Sequence, residues 1–359
     1  MDDALIDRPR RGRGAVGNPV GRFEAVDRVA TDDGWGAAAA EPAPLRTTLS
    51  VDSARGIITR NQSPDVPFDR SINPYKGCEH GCIYCFARPT HAWLGLSPGL
   101  DFETRLYWKP DAPDLLAREL RNPKYRAATI ALGANTDPYQ PVERERKLTR
   151  RILEVLAAFD HPVGIVTKSD LVLRDLDILE PMAAKNLVRV AVSVTTLDRG
   201  LSRRLEPRAP VQARRLAAIG GLARAGIPAT VLNAPIIPAL NDHEIEAILD
   251  SAARAGATAA GYVLLRLPHE VKDLFADWLA AHYPDRARRV MSLVRQTRGG
   301  KLYRSEWGRR QTGGGAYAEQ IADRFDLACK RLGLHHGHPP LDESRFRRPP
   351  APGDQLALL

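Results

Sequence analysis

The chain has 359 residues, 43% of them hydrophobic, enough to bury the core of one large α/β domain or of two smaller ones, and no apolar run approaches the ~20 residues that span a bilayer. Its four cysteines, three of them in one short loop, exclude a disulfide framework and suit a reducing cytosol in which thiols ligate metal. The net charge of +9 is uneven, with −2 over residues 1–45 and +7 over residues 283–359; a basic end fits a phosphate-bearing partner or a solvated, arginine-rich surface.

Residues 1–45 mix Gly, Ala, Pro, Arg and Asp without apolar periodicity and are expected to be disordered, as are residues 339–359. The first residues are Arg-rich and lack the apolar stretch of a secretory signal, so a cytoplasmic protein is expected. Strand 70–73, stopped by Pro74, opens the folded part and feeds a loop with Cys78, Cys82 and Cys85 in C-x3-C-x2-C spacing. Tyr84 precedes the last cysteine, and Gly77 and Gly81 lie between the turns. A zinc site would take a fourth ligand from a second Cys or His pair, and no second C-x2-C exists. An all-thiolate cluster would take four cysteines in other spacings, so three thiols leave one metal position open. His80 and His91 in the same loop read as a fourth ligand, as donors behind the ligands, or as partly exposed loop histidines.

Strand 126–132 runs into an acceptor-rich turn with Asn135, Thr136 and Asp137, which suits an ammonium group or caps the helix predicted over 143–159. Strand 161–167 ends at Lys168, either aimed into a barrel mouth or solvated, and Asp170 is expected to cap the helix through Leu171 and Met182. Strand 187–195 carries Ser193 and Thr195 on one face and Val190, Val192 and Val194 on the other; the hydroxyls are expected to face the lumen, since the valines suit the helix layer, the alternative being hydroxyls hydrogen-bonded within the core. A helix over 211–225 ends at Gly226. Strand 228–233 leads to a stiff turn with Pro235 and Pro238, and Asp242 is expected to cap the helix to residue 255. Strand 259–267 ends near Arg266, a candidate for an anionic ligand, and His269 reads as a polar residue at a helix start. Six strand-helix units imply a parallel sheet with right-handed crossovers, partly closed as a (β/α)6 TIM-like barrel over residues 46–282. A small, basic, mostly helical extension follows over 283–338. Within it, residues 301–317 interleave arginines with Tyr303, Trp307 and Tyr317, as a phosphate-binding, base-stacking surface or as a docking lid. Cys329 sits at helical spacing among apolar residues, as core or as a hydrogen donor to a substrate radical, and His335, His336 and His338 look incidental.

The cysteine loop, with Tyr84 and the strand before it, resembles that of the radical S-adenosylmethionine (SAM) superfamily, and the loop wording is most similar to the subgroup related to spore photoproduct lyase. The resemblance covers roughly residues 69–267. It implies a 4Fe-4S cluster on Cys78, Cys82 and Cys85, with SAM chelating the fourth iron and being cleaved reductively to a 5′-deoxyadenosyl radical. It further implies SAM contacts from Tyr84, from Asn135, Thr136 and Asp137 in place of the family's Gly-Gly-Glu, from a strand-end Lys168, and from Ser193 and Thr195. It also implies an external electron donor such as flavodoxin or ferredoxin. Nucleic acid is a possible partner and no membrane is expected. The substrate stays open, and the alternatives are a nucleic-acid lesion lyase and a non-catalytic metal- or nucleic-acid-binding module.

Overall fold

The clearest strand pattern in the sequence becomes the strand Val188–Ser193 in the middle of a seven-stranded sheet. Its valines are wholly buried, because crossover helices cover that face. The structure, a computed structural model, describes residues 9–24 and 45–350. In chain order the strands are β1 (Thr48–Val51), β2 (Ile58–Arg60), β3 (Arg70–Ile72), β4 (Tyr75–Lys76), β5 (Arg105–Trp108), β6 (Ile130–Leu132), β7 (Val163–Thr167), β8 (Val188–Ser193), β9 (Ala229–Ile236) and β10 (Ala259–Leu264). The main sheet runs β10-β9-β8-β7-β6-β3-β2; only β2 is antiparallel, so six parallel strands form the expected partial barrel. A smaller sheet, β1-β5-β4, lies outside it.

Register brings the strand ends to one rim. Ile72 pairs with Leu132, Leu132 with Ile165, Thr167 with Val192, Ser193 with Leu232, and Leu264 with Ile236. In barrels of this kind functional groups sit where strands end.

Several elements differ from expectation for local reasons. The helix expected over 143–159 is two helices, Glu143–Arg146 and Leu148–Ala158, joined at Lys147 with φ 51°. The Glu143 carboxylate accepts from the N–H groups of Leu148 (2.9 Å) and Thr149 (3.0 Å), so it caps the second helix where the apolar periodicity begins. The helix after β7 is capped by Ser169, not by Asp170, which pairs with Arg214. Asp242 likewise is not a cap; it accepts from the Tyr317 hydroxyl.

The tails correct the composition reading. Residues 9–24, expected to be disordered, place Ala15 and Val16 in the apolar cluster that also contains Ile83 and Trp278. Residues 339–350 cross the opposite end of the barrel, where Phe346 stacks on Phe159 and the N–H of Arg347 donates to Phe159 O (3.0 Å). The remaining residues of those two segments, 1–8, 25–44 and 351–359, lie outside the described residues.

Residues 308–311 close the seam between β10 and β2. The N–H of Leu264 donates to Gln311 O (2.8 Å), Arg310 pairs with Asp65, and Gln311 Nε2 donates to Asp65 O (3.0 Å). Buried Arg298 fastens this strap to β10 by donating to Arg309 O (2.9 Å), Arg310 O (2.9 Å), Leu264 O (3.1 Å) and Leu265 O (2.9 Å). Residues 308–311 dock through these hydrogen bonds and the ion pair, and not by aromatic burial, since Trp307 is 59% exposed. Because Arg298→Met strips the donors from four carbonyls, we expect it to lower the unfolding free energy by about 3 kcal/mol. Arg254→Met, on an exposed helix face, should change it by less than about 0.5 kcal/mol. Urea denaturation of the two variants measures the contrast, and equal midpoints would contradict the clamp.

Candidate functional site

The cysteine loop follows β4 and has no regular secondary structure, so its carbonyls need other donors. Arg88, wholly buried, supplies them: Nε donates to Cys82 O (2.9 Å), Nη2 to Gly81 O (3.2 Å), and Nη1 to Pro98 O (3.0 Å) and Gly99 O (2.8 Å). Its charge meets the buried carboxylate of Glu103 at 2.5 Å. Glu103 in turn accepts from the N–H groups of Gly14 (3.0 Å) and Ala15 (2.9 Å), which is why the N-terminal segment is packed here. Gly81 has φ 67°, and a Cβ there would stand 2.7 Å from Glu103 Oε2, so this turn admits only glycine.

Cys78 and Cys82 are buried and Cys85 is partly exposed; all three are free thiols lining one cavity of about 320 Å³. Burial pushes each thiol up, Cys82 to about 12 with the Glu206 charge adding to the effect, and for Cys78 the charges of Asp137 and the other two thiols add as well. Three thiolates side by side in this setting need a cation, which fits a metal cluster. Among the described residues, no three or more His, Cys, Asp or Glu side chains converge as a single metal ion would require.

The same cavity collects the strand-end residues singled out in the sequence. Tyr84, Asn135, Thr136, Asp137, Lys168 and Ser193 all line it. Thr195 lies just behind, in contact with Tyr84, and not on the cavity wall. Within the turn after β6 the three residues are not equivalent. Thr136 gives its hydroxyl to Tyr75 O (2.9 Å). Asp137 accepts from Thr167 Oγ1 (2.7 Å), Lys168 N (2.8 Å) and Tyr139 N (2.9 Å), and lies 3.3 Å from His80 Nδ1. Burial opposes its charge, but His80 and these donors outweigh that and hold the carboxyl at about 2. Asn135 lies beside the cavity, and among the described residues its side chain has no hydrogen-bond partner.

Behind Tyr84 stands a network that no local pattern announced. Glu206, wholly buried, accepts from the Tyr84 hydroxyl, from Thr195 Oγ1 (2.6 Å) and from Arg215, and lies 4.0 Å from Lys168 Nζ. Burial alone would raise its carboxyl; Arg215 first and Lys168 next bring it down to about 2. Lys168 Nζ also donates to Ser193 Oγ (3.0 Å) and stands 5.8 Å from the Tyr84 ring centre. Tyr84 is 111 residues from Thr195 and 122 from Glu206, separations at which a single sequence gives no signal.

The histidines resolve differently from the partly exposed reading. His80 is buried against Asp137, and His91 is buried with Nε2 3.0 Å from Arg105 O and its ring edge-on to Phe102. Cys329 lies in the core with Ile321 and Phe325 and does not line the cavity. Arg266 does, together with Phe68, Phe86 and Gln311, while His269 is exposed.

Among the described residues, no helix is long and apolar enough to cross a membrane. The solved structures most like this chain include spore photoproduct lyase complexed with dinucleoside spore photoproduct, with a TM-score of 0.57, 18% identity, and coverage of 80% of this chain and 81% of that one. A double mutant of that lyase with bound AdoMet and dinucleoside spore photoproduct matches at TM-score 0.57 and 17% identity over 80% of each chain. At these identities the likeness shows the fold alone. An uncharacterized protein of Mycobacterium tuberculosis is 40% identical over 233 residues, covering 64% of this chain and 68% of that protein. One of Methanocaldococcus jannaschii is 32% identical over 173 residues, covering 48% of this chain and 62% of that protein. The family model described as "Radical SAM superfamily" matches residues 72–252, from β3 through the cysteine loop to the helix before β10. The chain therefore belongs to the radical SAM superfamily and is an enzyme, which overturns the non-catalytic alternative.

Proposed function

We propose that the chain holds a 4Fe-4S cluster on Cys78, Cys82 and Cys85 and cleaves SAM reductively, taking its electron from an external donor such as flavodoxin or ferredoxin. The observation that carries this reading is the convergence, on one cavity, of three buried or half-buried thiols with an acceptor-rich turn and a lysine from separate strands. When bound, the cluster supplies the electron that splits SAM into methionine and a 5′-deoxyadenosyl radical.

The protein's own part is to bind, orient and shield. Arg88 and Glu103 fix the loop so that the thiols face the cavity. Lys168 is aligned by Ser193 and by the Glu206 charge to receive the carboxylate of SAM. The Asn135 side chain is the open acceptor for the SAM amino group, because Asp137 and Thr136 already hold structural bonds. Tyr84, fastened by Thr195 and Glu206, closes the wall beside Lys168. The apolar lining, including Val166, Leu232 and Val263, keeps water from a reactive species.

Anaerobic reconstitution with iron and sulfide is expected to load about four irons per chain and to yield 5′-deoxyadenosine from SAM and dithionite. Cys78→Ala, Cys82→Ala and Cys85→Ala should each abolish both, and Cys329→Ala neither. One tightly held zinc and no SAM cleavage would sink the proposal. Lys168→Met should weaken SAM binding about tenfold while leaving the iron content intact, as read by titration of the reconstituted protein. Glu206→Gln leaves Arg215 buried without a counter-charge and should cost about 4 kcal/mol, while Glu206→Gln with Arg215→Met should recover part of that loss in the same denaturation assay. Because the Glu206 carboxyl lies at about 2 instead of 4.5, its contribution is present above that ordinary value and fades as the pH falls toward 2. The double variant should lose less stability than the wild type across that window.

A further inference from the structure

We propose that Arg266 and Phe86 anchor a second reactant, one that carries a phosphate or carboxylate beside a flat, apolar body. The inference rests on the radical SAM reading, in which SAM takes the side of the cavity around Lys168 and Asn135. Arg266 stands just beyond β10; among the described residues its guanidinium has no hydrogen-bond or ion-pair partner, and its Nε is buried without one. Its Cζ lies 5.2 Å from the centre of the Phe86 ring.

The charges around the cavity leave Arg266 uncompensated. Lys168, the other cation on the wall, is matched by Ser193 and Glu206. Asp137, the one acid among the described lining residues, is taken up by His80, Thr167 and backbone N–H groups. Arg298 lies close enough that its guanidinium, pushed down to about 10 mainly by burial, is pushed further by the Arg266 charge. An anion held at Arg266 relieves both cations. The SAM carboxylate does not serve for this while it is on Lys168: β7 and β10 are three strand positions apart in the sheet, about 14 Å along it.

The apolar side of the site is equally specific. Phe86 directly follows Cys85 and is 45% exposed, although Arg88 holds the carbonyls of Gly81 and Cys82 in the same loop. Val66 and Phe68, from the loop after β2, line the same space, and Gln311 of the strap gives it a polar edge. A guanidinium beside an aromatic ring, in a cavity with further apolar lining, takes a planar group bearing a terminal anion.

The test uses the reconstituted protein with SAM bound and two matched pairs of probes, thymidine 5′-monophosphate against thymidine and phenylacetate against phenylacetamide, titrated calorimetrically. We expect at least one anion to bind about tenfold more tightly than its neutral counterpart. R266Q should remove that preference, R266K should retain part of it, and F86A should weaken both members of the pair alike. SAM affinity should stay within about twofold in R266Q. Equal binding, or no binding, of anion and neutral probe in both pairs overturns the proposal. A tenfold loss of SAM affinity in R266Q overturns it too, since Arg266 then belongs to the SAM carboxylate. A wild-type protein that loads iron yet neither binds nor cleaves SAM removes the parent reading, and this proposal falls with it.

Discussion

A single buried guanidinium, that of Arg88, is the constraint on which the site depends. A loop that must present three thiols to one cavity has no strand or helix partner to satisfy its backbone, and unpaired buried carbonyls are costly. Arg88 donates to four of them, two inside the loop and two in the segment that follows it. A buried charge of this kind is tolerated only with a partner, and Glu103 provides it. The chain thereby shapes the cysteine loop with its own bonds, so that the thiols are positioned by protein contacts.

A second buried pair, Glu206 with Arg215, does the corresponding work for the barrel rim. It ties Tyr84 of the loop to Thr195 beyond β8 and sets a negative charge beneath Lys168. The loop and the strand ends are therefore joined by direct bonds. On the proposed reading their alignment matters, because a ligand held at both the cysteine loop and Lys168 binds well only if both are already placed. The strap at residues 308–311 and the segment 339–350 serve the same end from the periphery, one closing the seam and the other covering the far end of the barrel.

The parallel strands and the three cysteines were legible in the sequence because their signals are local. Runs such as Val188 to Val194 alternate with helical periodicity, and thiol spacing is read directly. Where local signals failed, a distant or capping partner had intervened. Glu143 reaches Leu148 and Thr149 and splits a helix whose apolar period looked continuous. Residues 9–24 have too little apolar area to fold alone, yet they are held by Glu103, 89 residues beyond Gly14. Asp137 lay in the right turn for a ligand-binding acid, but the bonds it makes with Thr167 and Lys168 could be known only from the packed strands. Glu206 and Arg215, which fix Tyr84, carried no sequence signal at all.

The central claim is that three protein thiolates leave one iron for SAM. It is tested most directly by electron paramagnetic resonance of the reduced, reconstituted protein with and without SAM, using SAM labelled with nitrogen-15 at its amino group. The account predicts that SAM changes the cluster signal and that the labelled nitrogen couples to it as a direct iron ligand. An unchanged spectrum with no nitrogen coupling, despite full cluster loading and bound SAM, would contradict it.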